Sequence, residues 1–262
     1  AGYAIVDKRE VVAGHAARAL SRANPRRTHN RFWERLGQEP LSDAARHARH
    51  NADLAYAQLA SLLAEAGNPA SLIVAANGAY SQEQLALLLG LMQAAGTGAT
   101  GLVDAAVAAG AACLAPGRWQ HVEAEAHRVV ITGLEVDEMV ARAEVHSIEE
   151  VGAVRMLDTA ARAVGEAFIR HNRFDPFHLA EAEQALYDTL PDWLRAGATE
   201  AFVLDTGGRR YELRLPPEQV LEPLHRLLAP VVAALDPAAG IVLGDRLAML
   251  AAAAALFGEH AV

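Results

Sequence analysis

Residues 71–113 constrain the fold of this chain more than any other stretch. They read SLIVAANGAYSQEQLALLLGLMQAAGTGATGLVDAAVAAGAAC. The apolar run 72–75 predicts a buried strand. Ser81 then opens a helix with Gln84 three residues on, the spacing at which a cap hydroxyl and a later amide satisfy each other's free backbone N–H groups. Leu85, Leu88, Leu89 and Met92 share one helical face. Gly96, Gly98 and Gly101 break that helix, and a small-residue helix is expected over residues 102–112. Strand, capped helix, glycine turn and alanine-rich helix together predict an α/β protein.

The flanking sequence extends the pattern. Residues 3–6 and 11–12 read as two short strands joined by a charged turn, and Gly14 opens a helix that Asn24-Pro25 stops. A short helix is expected over residues 28–36. A long helix, capped by Ser42 or Asp43, is expected to run to Ala66. Beyond Gly117, residues 121–132 read as a strand or one arm of a tight hairpin, and residues 151–169 as a helix. Residues 171–178 read as a loop, and residues 180–187 as a short helix closed near Pro191. Strands at 201–204 and 211–215 flank Asp205-Thr206-Gly207-Gly208, a hairpin-turn sequence. A helix over 218–235, a strand over 241–243 and a buried helix over 247–257 complete the chain. Gly117 is the expected boundary between a first lobe, residues 1–117, and a second, residues 118–262.

Composition narrows the function classes. Across 262 residues, 52% are hydrophobic and 21% charged, the balance of a globular chain. The formal charge is −9, and positive charge concentrates only over residues 22–35, so a nucleic-acid partner is not expected. Cys113 is the single cysteine, which excludes an internal disulfide or a thiolate metal cluster. Its alanine surroundings predict a buried, inert thiol. The apolar runs 105–116 and 247–257 are shorter than the roughly 20 residues a membrane span requires. The N-terminal residues carry no signal pattern, so a cytoplasmic protein without membrane contact is expected.

Four motifs have a chemical reading. The string GTGATG, residues 96–101, matches the dinucleotide fingerprint in letters. That chemistry places the glycines directly after a strand, whereas here a capped helix precedes them, so a helix C-terminal turn is expected. Asp205-Thr206-Gly207 matches an aspartic-protease triplet, but those enzymes need two such aspartates and the chain has one. His121, Glu123, Glu125 and His127 alternate, which on a strand puts all four on one face. At strand rise His121 and His127 lie roughly 20 Å apart, so one strand supplies at most two ligands to one ion. Asp43, His47 and His50 have helical spacing, which reads first as the wet face of a helix and second as the seed of a metal site.

The order of segments resembles the ATPase domain of the seventy-kilodalton heat-shock chaperones, in the superfamily that includes actin and sugar kinases. Residues 12–36 with Gly37 are similar to its VGxxAkxqaxxNPxnTvxxxKrlxGr segment, with Gly14, Ala17, Asn24, Pro25, Thr28 and Gly37 in step. Residues 72–95 are similar to its ITVPA strand and following helix, residues 101–110 to its NEPTAAA helix, and residues 211–257 to its closing part. The resemblance implies an α/β, two-lobed actin-like ATPase fold built on ribonuclease-H-like sheets, with the N-terminal phosphate hairpin missing before Ala1. In the family a cleft holds ATP and magnesium. The departures from the family fall on the charges that do its chemistry. Its lysine falls near Trp33, the glutamate of NEPT near Leu102, and the proline of VPA on Ala76. Its glycine-rich second phosphate loop is replaced by residues 121–132, and its GGS by Leu243-Gly244-Asp245.

The resulting expectation is a non-catalytic member of the fold, serving as a protein-interaction or scaffold module and able to pair as a homodimer. No cofactor is expected. The alternative is a residual ATP or ADP binder or weak ATPase, with Asp104, Gly244 and Asp245 on the nucleotide and Glu123 or Glu125 holding magnesium. A second alternative is a metal-dependent hydrolase using the His121–His127 face.

Overall fold

The computed structural model describes residues 2–113, 115–248, 250 and 256–257, and the side chains at 42, 43, 99, 100, 112 and 113 are not described. The chain is mixed α/β and divides into two compact units, Ala1–Ala108 and Ala109–Val262. The state of the Cys113 thiol and most of the expected helix over 247–257 lie outside what is described.

In the first unit, β1 (Ala4–Val6) pairs with β2 (Val11–Ala13) as an antiparallel hairpin, and α1 (Gly14–Ala19) follows. A 3-10 turn, Pro25–Arg27, leads into β3 (Thr28–His29), which pairs with the free edge of β1. The helix expected over residues 28–36 is therefore absent. The Thr28 hydroxyl donates to Asn24 O at 2.8 Å, holding the chain extended after the proline turn. Phe32 and Leu36 still reach the core, but from a turn.

The helix expected from residue 42 or 43 begins later. Pro40–Ala45 forms β4 and Ala48–His50 forms β5, and α2 occupies Asn51–Glu65. Its start is set by Asp53, whose carboxylate accepts from the N–H groups of Arg49 at 2.7 Å and His50 at 3.0 Å. Asp43, His47 and His50 therefore do not share a helical face, the arrangement on which the sequence reading of a metal site rested.

β6 (Ser71–Ala76) and α3 (Gln82–Ala94) form where the sequence places them, with the reciprocal Ser81–Gln84 cap, but β6 is not the buried strand expected: Ile73 is 71% exposed and of its residues only Ala76 is buried. At the other end of α3, Gly96 takes φ +82°. The Gly96 N–H donates to Gln93 O and the Thr97 N–H to Met92 O, the bond pair of a Schellman turn. Residues 98–104 correct the sequence reading. Gly98–Asp104 is strand β7, parallel to β6, and α4 (Ala105–Cys113) starts only after it. A run with two glycines in seven residues has weak intrinsic strand preference, so pairing with β6 makes it a strand. The core of this unit gathers Ala4, Phe32, Leu36, Leu54, Ala55 and Leu88.

The second unit is built on a four-stranded sheet. β8 (Gly117–Ala124), β9 (Arg128–Val136) and β10 (Val140–Glu149) form an antiparallel meander. The sequence reading missed β10, whose residues are mostly exposed and whose alternation over 141–146 rests on two small alanines and one valine. Helix α5 (Ala153–Asn172) includes His171 and Asn172, expected in a loop, and ends at Arg173 in a left-handed conformation. Helix α6 (Ala180–Arg195) continues through Pro191, where the sequence predicts a stop. Beyond the proline, Trp193 and Leu194 are buried, and Trp193 packs edge-on against Phe202 at 5.2 Å. That burial holds the last turn despite the lost hydrogen bond.

β11 (Phe202–Thr206) and β12 (Arg209–Leu213) form the expected hairpin, with Gly207 and Gly208 both at positive φ, as a type I′ turn requires. Asp205 lies exposed on it beside Arg210 at 3.8 Å, which is an ordinary hairpin and not a protease centre. Helix α7 (Glu218–Ala233) packs on α5. β13 (Gly240–Leu243) then adds to β8 in parallel, and α8 (Asp245–Ala248) follows. The sheet order is β10-β9-β8-β13. Among the described residues, no helix is long and apolar enough to cross a membrane.

Candidate functional site

The parallel pair β8 and β13 ends on one side of the second unit, with Leu243 opposite Val122. In α/β sheets the carboxyl ends of parallel strands are where ligands bind, because loops diverge there and helix N-termini converge. Of the five residues named for a residual nucleotide and magnesium site, four lie at this end: Glu123, Glu125, Gly244 and Asp245. Asp104 belongs to the first unit. There its Oδ1 accepts from Ala106 N at 2.9 Å and Val107 N at 3.5 Å, capping the start of α4.

The strand face proposed for His121, Glu123, Glu125 and His127 is only half formed. β8 stops at Ala124, and residues 125–127 make the turn into β9, closed by Glu125 N donating to Arg128 O at 2.9 Å. His121 is buried within β8. Glu125 turns to Arg128, whose Nε lies 2.5 Å from its Oε2, with both side chains largely buried. Among the described residues, no three His, Cys, Asp or Glu side chains converge as a metal site.

Glu123 points the other way, onto the loop after β13. Gly244 donates its N–H to Val122 O at 2.9 Å, which fixes the loop against the strand. A Cβ on Gly244 would lie 1.9 Å from Glu123 Oε2, so the carboxylate occupies the space a side chain would take. Arg246 closes the cluster. Its Nη1 donates to Ala124 O at 2.8 Å and lies 3.6 Å from Glu123 Oε1. Burial pushes the Glu123 carboxyl above the usual carboxylate range. Arg246 opposes that rise, and the nearby charges of Asp245 and Glu125 add to it.

The N-terminus of α5 meets the same turn. Ala153 N donates to Glu125 O at 2.8 Å, and Val154 N to Ala126 O at 2.9 Å. A helix N-terminus with open N–H groups attracts phosphate, but here two of those groups are already bonded to the turn. Gly152 permits this approach. A Cβ there would meet the backbone N atoms of His127 and Arg128 at 2.4 Å. Chemically, this end of the sheet offers carboxylates, one arginine held by a backbone carbonyl, and helix donors already in use.

Gly152 and Arg246 were not singled out from sequence. A glycine before an apolar-periodic helix is a weak sign of close approach. Nothing local indicates that Arg246 reaches a carbonyl 122 residues earlier. The chain matches no protein-family model and no curated protein.

Proposed function

We propose that this chain carries the two-lobed actin-like ATPase fold of the heat-shock chaperone branch without its reaction, and serves as a protein-interaction or scaffold module. The arrangement at the carboxyl end of β8 is the observation that carries the reading. The first N–H groups of α5 are bonded to the β8–β9 turn, and Glu123 covers Gly244. Phosphoryl transfer requires positive charge and open backbone N–H groups placed around the phosphates. Here Glu123 lies against Arg246 and feels the charges of Asp245 and Glu125, while Glu125 is already paired with Arg128, so the one arginine beside Glu123 is engaged and a triphosphate would bring further negative charge. The low local dielectric strengthens that repulsion.

Calorimetric titration of the chain with Mg-ATP and Mg-ADP tests the proposal. No binding heat is expected even at high protein concentration. Micromolar binding of either nucleotide would overturn it in favour of a residual nucleotide binder.

A further inference from the structure

A different face of the second unit carries a feature that the β8 site does not use. Arg155, Arg162 and Arg170 lie seven and eight residues apart on α5, a spacing that returns to the same helical stripe. They line a groove of about 520 Å³ whose opposite wall includes Gln219 and Pro223 of α7. Arg155 and Arg162 are exposed, and among the described residues neither guanidinium makes an ion pair or a side-chain hydrogen bond. Among the described residues, Arg170 reaches only the Glu166 carbonyl, at 3.4 Å. Two acidic groups share the groove. Asp158 accepts a hydrogen bond from the Tyr187 hydroxyl at 2.6 Å, and Glu166 stands between Arg162 and Arg170 on the stripe. The lining thus keeps a positive excess on a chain whose formal charge is −9.

We propose that this α5–α7 groove docks an acidic, extended segment of a partner protein. Charge complementarity selects the sign of the occupant, because unpaired guanidinium groups recognise carboxylates through paired N–H donors. Spacing selects its form. At the helix rise the three arginines stand roughly 10 and 12 Å apart along α5. An extended chain covers that distance in about three to four residues, so acidic side chains at that interval meet successive arginines. Ala163 and Pro223 give the segment an apolar floor between its charges. The proposal gives the interaction module its surface and rests on that reading.

The test is fluorescence anisotropy of the whole chain with a fluorescein-labelled decapeptide carrying glutamates three and four residues apart. Its control is the same peptide with glutamines. The glutamate peptide binds and the control does not, and binding weakens with added salt. The double variant Arg155→Glu/Arg162→Glu weakens binding about tenfold, since each exposed ion pair is worth up to about fivefold and reversal adds repulsion. If that variant does not melt like the parent by circular dichroism, Arg155→Gln/Arg162→Gln replaces it, with an expected loss of about fivefold. Equal binding by variant and parent overturns the proposal, as does no binding by the parent. A ten-nucleotide single-stranded DNA that binds as tightly as the peptide overturns it in favour of a general polyanion site. Self-association that the double variant abolishes overturns it in favour of a second copy of this chain as occupant. Peptide failure with nucleotide silence intact sinks the groove alone, whereas micromolar nucleotide binding sinks the reading beneath it.

Discussion

Glu123 holds a carboxylate against Gly244, within reach of Arg246 and of two further acidic groups. Because burial raises its pKa above 4.5, the folded chain keeps this proton to a higher pH than the unfolded chain does. The native state then binds more protons just above that value, so the stability that Glu123 contributes falls as pH rises through the window and returns below it. Glu123→Gln removes the titration while keeping the shape. This variant is expected to melt higher than the parent at pH 8, with the gap narrowing as pH falls towards 4.5, read by thermal denaturation across pH. Parallel pH profiles for the two proteins would show that Glu123 is not held in this way. The residue types at this site were visible in the sequence, as was the presence of Gly244 and Asp245. Their mutual contact was not, because it depends on β13 pairing with β8 from the far end of the unit.

At the scale of elements, local chemistry and tertiary contact divide the chain between them. The Ser81–Gln84 cap and the Gly207–Gly208 turn are short-range, and both form as the sequence predicts. β3, β7 and the extension of α6 past Pro191 are not short-range. β3 exists because β1 offers an edge, β7 because β6 does, and the last turn of α6 because Trp193 and Leu194 are buried. The docking of α5 on the β8–β9 turn belongs to the same class and rests on Gly152. Gly152→Ala drives a methyl into backbone atoms at 2.4 Å, which cannot move as a side chain can. The expected cost is about 1–3 kcal/mol in urea denaturation, as for other overpacked sites. An unchanged midpoint would mean that the turn and helix do not meet so closely.

For the whole molecule, the buried side chains among the described residues gather into two hydrophobic clusters. Leu54 is fully buried in the first, and Phe168 is fully buried in the second, edge-on to Phe202 at 5.9 Å. Leu54→Ala is expected to cost about 2–5 kcal/mol and Phe168→Ala about 3–5 kcal/mol, the usual loss for emptying such sites. Hydrogen exchange reads the location of each loss. Leu54→Ala should speed exchange in α2 and β1, and Phe168→Ala in α5 and β11. Uniform acceleration along the chain from either substitution would mean that the units unfold as one.

The sequence by itself determined the α/β class, the positions of β1, β2, β6, α3, the β11–β12 hairpin, α7 and β13, and the identity of the residues at the carboxyl end of β8. These follow from hydrophobic period, caps and glycine turns, which act over a few residues. Only the tertiary structure decided that the glycine-rich run after α3 is a strand, that Asp43, His47 and His50 lie on a strand pair and turn and not on one helix, and that Glu125 belongs to a turn bonded to α5. Each depends on a partner distant in sequence. Pairing with a sheet edge, or burial against a helix, contributes enough free energy to override weak local preference.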